Sequence, residues 1–168
     1  MNLISIIPKN MWREMMSQPQ IMLLTHLVEK YPEYAEAARN SKNYKILDNS
    51  IVELGESVTL DRILRAAELV KADEIILRDA YPNVPKTIKR IKEDIDYLRA
   101  HHLQYKYKIM AVCHGENLDD FKKTFDFINS IPEITCIGIP KVLSKWCGDR
   151  ASLFDIFKNT DKEIHFLG

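Results

Sequence analysis

Two aspartates stand where apolar runs of the sequence end, and they are its clearest sign of chemistry. The run Tyr44 to Asp48 is mostly apolar up to its acid, and the run Glu74 to Asp79 ends in the same way. Alternation along a strand places each acid on the face of its apolar neighbours. Two carboxylates that converge at such a rim suit different roles, one for proton transfer and the other for binding. The plainer alternative is that each aspartate caps the turn that follows it.

Four further apolar runs end in polar residues or glycine. Chemistry in α/β sheets and barrels gathers at the carboxyl ends of strands, so these ends supply the other candidate residues. The ends are Thr25-His26, Cys113-His114-Gly115, Gly138-Ile139-Pro140 and His165-Phe166-Leu167-Gly168. Glycine at such a position lets the backbone approach a ligand closely, or merely permits a turn.

The histidines at three of these ends, His26, His114 and His165, would be metal ligands if the fold gathered them with the acids. No His-x-His or His-x-x-x-His pair occurs, so we predict hydrogen-bonding roles and no metal. Glu53 lies five residues beyond Asp48. Its side chain either points to the same rim as Asp48 or is solvated, and the sequence does not decide between these alternatives.

Two further groups of side chains belong to the predicted loops and helices that follow the carboxyl ends of the strands. Tyr81 and Trp146 lie in loops where they would stack on a planar ligand or pack on neighbouring residues. A basic helical face is the one candidate for contacting phosphates, although such a face is usually only solvated. Its residues are Lys86, Lys89, Arg90 and Lys92.

The elements that must position these residues alternate between strand and helix. Apolar residues at helical spacing separate the runs, as at Ile88, Ile91, Ile95 and Leu98. Strand and helix alternating at intervals near 30 residues indicate right-handed βαβ units and a parallel sheet. Six units fit either an open doubly wound sheet or six-eighths of a (β/α)8 barrel. The predicted strands are Ile21 to Leu24, Tyr44 to Asp48, Glu74 to Asp79, Lys108 to Cys113, Thr135 to Ile139 and Glu163 to Leu167.

Composition narrows the class of protein. A chain of 168 residues, 46% hydrophobic, can bury one core, so we predict a single domain over residues 1–168. The 24 basic and 24 acidic residues balance, which gives no overall sign of a nucleic-acid partner. Three widely spaced cysteines predict a reducing compartment, and the lack of a signal peptide or an apolar run of about 18 residues predicts a cytoplasmic protein without a membrane partner. No phosphate-binding glycine loop is present.

In the residues at the ends of its six predicted strands, taken in sequence order, the chain resembles the tRNA-guanine transglycosylase (queuine tRNA-ribosyltransferase) superfamily. The resemblance is greatest to the phage and bacterial branch that puts 7-deazaguanines into DNA. The resemblance covers about residues 20 to 168 and implies an incomplete parallel (β/α) barrel of TIM type, with about six βα units. The matching segments are Leu23-Leu24-Thr25-His26-Leu27, Ile46-Leu47-Asp48-Asn49-Ser50, Asp73-Glu74-Ile75-Ile76-Leu77-Arg78-Asp79, Met110-Ala111-Val112-Cys113-His114-Gly115, Ile137-Gly138-Ile139-Pro140 and His165-Phe166-Leu167-Gly168.

The resemblance implies exchange of guanine for a 7-deazaguanine in tRNA or DNA, without a cofactor. Asp48 aligns with the acid that handles protons, and Asp79 with the acid that hydrogen-bonds the edge of the base. His114 and Gly115 align with a Gln-Gly pair that contacts the base, and Gly138 aligns with a backbone donor to its carbonyl. The remaining substrate-binding residues carried over from the matched segments are His26, Leu167 and Gly168.

The chain also departs from the family. His114 replaces the glutamine, and Ser50, Ile51 and Val52 replace small residues and a stacking aromatic. The family's aspartate nucleophile lies on strand seven and its zinc site is also C-terminal, whereas six strands are predicted here. Glu53 is therefore a second catalytic candidate, and a second copy or a completing chain would cover the open barrel edges. The alternatives are a catalytically inactive fragment or module that binds deazaguanine or nucleic acid, and a metal-dependent barrel hydrolase.

Overall fold

The structure is a computed structural model of the chain, and it describes residues 5–15, 17–143 and 154–167. The chain divides into two compact units, Met1–Ile76 and Leu77–Gly168.

The first unit is built on four parallel strands. They are β1 (Ser5–Ile6), β2 (Gln20–Leu24), β3 (Tyr44–Asp48) and β4 (Glu74–Ile76). Each strand pairs with the next in sequence, and Leu24 lies opposite Asp48 in the β2–β3 register. The carboxyl ends of β2 and β3 therefore meet at one edge of the sheet.

Five α-helices follow or precede these strands, and three of them, α2, α3 and α5, pack on one another. Pro32 begins α3, where its missing N–H leaves no intrahelical bond unmade. Tyr34, on the buried face of α3, is completely buried and donates its hydroxyl to the carbonyl of Ile7 at 2.9 Å. The helices are α1 (Trp12–Met15), α2 (Thr25–Lys30), α3 (Pro32–Asn40), α4 (Ile51–Leu54) and α5 (Leu60–Val70).

The described residues of the second unit form three parallel strands, β5 (Lys108–Val112), β6 (Cys136–Ile139) and β7 (Glu163–Phe166). Leu77 extends this pairing, since its N–H donates to the carbonyl of Met110 at 2.9 Å. Helices α6 (Val84–Ala100) and α7 (Leu118–Asn129) pack together, and α8 (Phe154–Phe157) precedes β7. The sequence predicts Asn117 as the N-cap of a helix, because asparagine is favoured at that position. Its side chain does cap α7, by accepting the N–H of Asp120.

The α/β class with parallel strands in sequence order within each unit is thus confirmed, while single-domain organisation stays a prediction. Strand β4 ends at Ile76, so Asp79 lies in the loop three residues beyond it rather than on the strand. The short helix α4 forms where the sequence predicts a turn after Asp48, and α2 is a second short helix, directly after β2, that was not predicted from the sequence. The sequence also predicts a helix from Asp149 to Phe157, of which residues 149–153 lie outside the described residues. None of the helices in the described part of the chain combines the length and apolarity needed to span a bilayer.

Candidate functional site

Asp48 ends β3 at the rim of the first unit and holds its own loop in place. One oxygen of its carboxylate accepts the N–H of Ser50 at 2.6 Å, and its carbonyl accepts the hydroxyl of Thr25 at 2.6 Å. Ser50 is buried with φ of 62°, a left-handed conformation that is uncommon for a residue with a side chain. The half-buried Asp48 therefore has a structural role in this turn, which was the plainer of the two interpretations of the sequence.

His26 and Glu53 occupy the same rim of the first unit with different exposure. The N–H of His26 donates to the Ser50 hydroxyl at 3.3 Å, and its ring is half-buried. Nδ1 of His26 is buried and meets no hydrogen-bond partner among the described residues. Glu53 lies on the four-residue helix α4 and is exposed.

Asp79 and His114 are in direct contact in the second unit. Nε2 of His114 contacts Oδ2 of Asp79, and only 6% and 2% of the two residues is exposed. An ionised carboxylate can only accept hydrogen bonds, so a contact between ionised Asp79 and His114 requires an N–H on Nε2 as the donor. The two residues follow the carboxyl ends of different strands, as their positions in the sequence predict.

Three side chains from the flanking helices hold the backbone of this pair. Arg90 donates a guanidinium N–H to the carbonyl of Asp79 at 2.6 Å, and Thr87 accepts the N–H of Ala80 at 3.0 Å. Thr124 donates its hydroxyl to the carbonyl of His114 at 2.8 Å. Helix α6 thus positions the acid, and helix α7 positions the histidine.

The other nitrogen of His114, Nδ1, is buried and finds no hydrogen-bond partner in the described part of the chain. The ring of Tyr81 meets the imidazole edge-on, with centroids 5.3 Å apart, and Tyr81 is 47% exposed. A buried polar atom without a partner costs about 1–3 kcal/mol, so such an atom calls for an explanation.

The remaining predicted residues flank the pair within the second unit. Gly115 is buried against the first turn of α7, and a Cβ added to it would lie 2.6 Å from Cβ of Asp120. Gly138 lies within β6, where its carbonyl accepts the N–H of Cys113 at 3.0 Å, and a Cβ added to it would lie 3.3 Å from Cδ1 of Leu167. Gly168 lies outside the described residues. His165 lies on β7, and burial lowers its pKa from the usual value.

The second unit therefore joins Asp79 to His114 directly, with Gly115 next in sequence. Asp48, Glu53 and His26 belong to the first unit, and the prediction that Asp48 and Asp79 face one hollow stays a prediction. Sequence reasoning missed the positioning residues Thr87 and Thr124. Both occupy positions on the apolar stripes of their helices, and a polar residue at such a position was the available signal.

No group of three or more metal-ligating side chains occurs among residues 5–15, 17–143 and 154–167. Comparison of the chain with models of known protein families gives no match, and comparison with curated proteins gives no significant match. A function can therefore be inferred only from the residues of the chain and from its resemblance to the tRNA-guanine transglycosylase superfamily.

Replacing Thr124 by valine should lower the free energy of unfolding by about 1–2 kcal/mol, because the buried carbonyl of His114 loses its donor. Urea unfolding measures the change. Thr59 is a matched control, since it stands at the N-cap position of α5 without a capping side-chain bond and is exposed. Thr59→Val should change stability by less than about 0.5 kcal/mol. Equal effects of the two substitutions would show that Thr124 does not hold the His114 backbone.

Proposed function

We propose that the chain is a transglycosylase-like protein that binds guanine or a 7-deazaguanine beside Asp79 and His114. The observation that carries the proposal is the buried contact between these two residues, with Nδ1 of the histidine left without a partner. A planar base needs a few placed polar groups in an otherwise apolar site. The loop that holds Asp79 also carries the half-exposed ring of Tyr81, on which a flat base can stack.

The activity that we propose with this binding is base exchange in tRNA or DNA. The bond from the sugar to guanine breaks and a bond to the deazaguanine forms. The leaving guanine gains a proton and the incoming base loses one, so an acid that handles protons is required. By the resemblance, Asp48 has that role within an incomplete barrel of TIM type. The family's nucleophile has no counterpart among the six predicted strands, so Glu53 is the candidate in its place.

A binding module without exchange is the second candidate, and the first unit supplies the observation that favours it. One carboxylate oxygen of Asp48 already accepts the N–H of Ser50 at 2.6 Å, as a turn-capping residue would. Glu53 is exposed to water on a single helical turn, where a carboxylate nucleophile gains nothing from a dry site.

Two measurements on the full chain test these proposals. Titration calorimetry with guanine and 7-deazaguanine should detect binding, and Asp79→Asn should weaken it about tenfold or more because the amide no longer fixes His114. Incubation with radiolabelled guanine and either tRNA or DNA should give labelled nucleic acid if exchange occurs, and Asp48→Asn should abolish the label.

Asp161→Asn is the control, since Asp161 is an exposed aspartate that precedes β7. It should leave both binding and labelling unchanged. Binding without labelling would select the module, and absence of binding would overturn the proposed function.

A further inference from the structure

By the resemblance, Asp79 itself would hydrogen-bond a bound base. Its contact with His114 makes the histidine the residue that would meet the base instead. The carboxylate of Asp79 is 2% exposed and its Oδ2 is occupied by Nε2 of His114. An aspartate in this state is poorly placed to read the edge of a base with that oxygen. The imidazole beyond it has one ring nitrogen still without a partner.

We infer that Asp79 and His114 act as one hydrogen-bonding unit, in which Asp79 fixes the imidazole and Nδ1 of His114 accepts an N–H of the bound base. This inference rests on the proposed function. A neutral imidazole has one donor and one acceptor nitrogen, and the donor is committed to Asp79. Nδ1 is then an acceptor, so the group opposite it on the ligand must be a donor.

The surroundings hold this arrangement in place. Thr124 donates to the carbonyl of His114 and Arg90 to the carbonyl of Asp79, so the backbone on both sides of the contact is fixed by helices. A histidine oriented by a carboxylate keeps one tautomer and one ring orientation, which is the way such pairs present a nitrogen to a substrate or metal. Asp79 is a positioning residue here, and His114 touches the base.

The half-exposed ring of Tyr81 gives the base a way in. Tyr81 meets the imidazole edge-on at 5.3 Å between centroids. Because Nδ1 is buried, binding through this atom requires the Tyr81 side chain to rotate and admit the base, whose face the aromatic ring would then contact. The ligand class that follows is a planar base with an amide N–H or an amino group on its edge, as in guanine and 7-deazaguanine. An edge that offers only acceptors would leave Nδ1 without a partner.

Nitrogen NMR of the 15N-histidine-labelled full chain tests the tautomer directly, without a ligand. The His114 signals should show a proton on Nε2 and none on Nδ1, and His114→Gln should remove them and so assign them. Adding guanine or 7-deazaguanine should shift the Nδ1 signal. A proton found on Nδ1 in the free protein would overturn the inference whatever the protein binds.

Calorimetry with altered bases provides the second readout. Two analogues of guanine each lack one donor, which is blocked in 1-methylguanine and deleted in hypoxanthine. The analogue that lacks the donor contacting Nδ1 should bind about tenfold more weakly than guanine. His114→Gln retains an amide donor for Asp79 but has no ring nitrogen at the Nδ1 position, so it should lose this discrimination. A purely structural role for His114 would leave the discrimination intact.

The outcomes separate the two proposals. Binding of guanine with an unmoved Nδ1 signal, or with both analogues bound as tightly as guanine, overturns the inference and leaves the proposed function standing. Absence of binding by either base overturns both. Thermal unfolding of each variant shows whether it is folded, and the tautomer measurement on the unmutated chain decides the inference even if His114→Gln does not fold.

Discussion

Replacing Arg78 by methionine should lower the free energy of unfolding by about 3 kcal/mol, because it leaves the carboxylate of Asp94 buried without its counter-ion. Asp94 lies on α6 with no exposed side-chain surface, and Arg78 contacts it through Nε at 2.6 Å and Nη2 at 2.5 Å. The backbone N–H of Arg78 also donates to Asp94 at 3.0 Å and remains in the variant. That remaining bond keeps the loss near the lower end of the range of about 3–5 kcal/mol for broken buried pairs.

The loss should grow as the pH rises. Burial raises the pKa of Asp94 above its usual value, although the hydrogen bonds and charge of Arg78 act in the opposite direction. Without Arg78 the pKa rises further, so the folded state binds a proton more tightly than the unfolded chain does. Stability from this group is then present at low pH and lost as the pH rises through the folded pKa. Urea unfolding at several pH values, with unchanged m values, measures both effects.

Two further variants separate the buried charge from other causes. Arg78→Met with Asp94→Asn keeps an acceptor for the Arg78 N–H and removes the charge, so it should recover most of the lost stability. Arg62 forms an exposed pair with Glu29 in the first unit, and Arg62→Met should lower stability by less than about 1 kcal/mol. If the double variant were as unstable as Arg78→Met alone, the buried charge would not be the cause.

The parallel α/β class could be predicted because apolar periodicity records which face of each element is buried. The bounds of β3, Tyr44–Asp48, and the cap at Asn117 were predicted correctly since each depends on neighbours in the sequence. The end of β4 was not, because Leu77 and the residues after it are placed by tertiary contacts rather than by local preference. For α5 the apolar spacing predicts a buried face of Leu60, Ile63, Leu64, Ala67 and Val70, yet Ala66 is buried and Leu64 is only half-buried.

The candidate site shows the same division between local and tertiary information. The positions of Asp79 and His114 after apolar runs were readable from the sequence. Their contact was not, since it joins residues 35 apart and depends on where α6 and α7 hold the two loops. Thr87 and Thr124 interrupt apolar stripes that are visible in the sequence, but their bonds to Ala80 and to the His114 carbonyl depend on how each helix packs against its loop. Local sequence alone could not decide whether Asp48 is a catalytic acid or a residue that caps its own turn, because both roles place an aspartate at the end of a strand. The structure shows the bond to the turn.

Replacing Gly115 by alanine should lower the free energy of unfolding by about 3 kcal/mol. The added Cβ would lie 2.6 Å from Cβ of Asp120 and 2.7 Å from the backbone nitrogen of Phe121. Both atoms belong to the first turn of α7 and cannot rotate away. Moving the helix would displace Phe121, which is completely buried and packs on Phe125 and Phe157.

Two other glycines serve as matched controls. A Cβ on Gly138 would meet only side chains, the nearest being Cγ2 of Val112 at 3.0 Å, so Gly138→Ala should lower stability by about 1 kcal/mol. Gly55 has φ of 77° and open space around it, so Gly55→Ala should lose about 1–2 kcal/mol through backbone strain alone. Urea unfolding should rank Gly115→Ala well above both, and Gly115→Ala should also weaken guanine binding because His114 is the adjacent residue. A loss at Gly115 no larger than that at Gly138 would mean that α7 does not rest on this glycine, and the placement of His114 by that helix would fall with it.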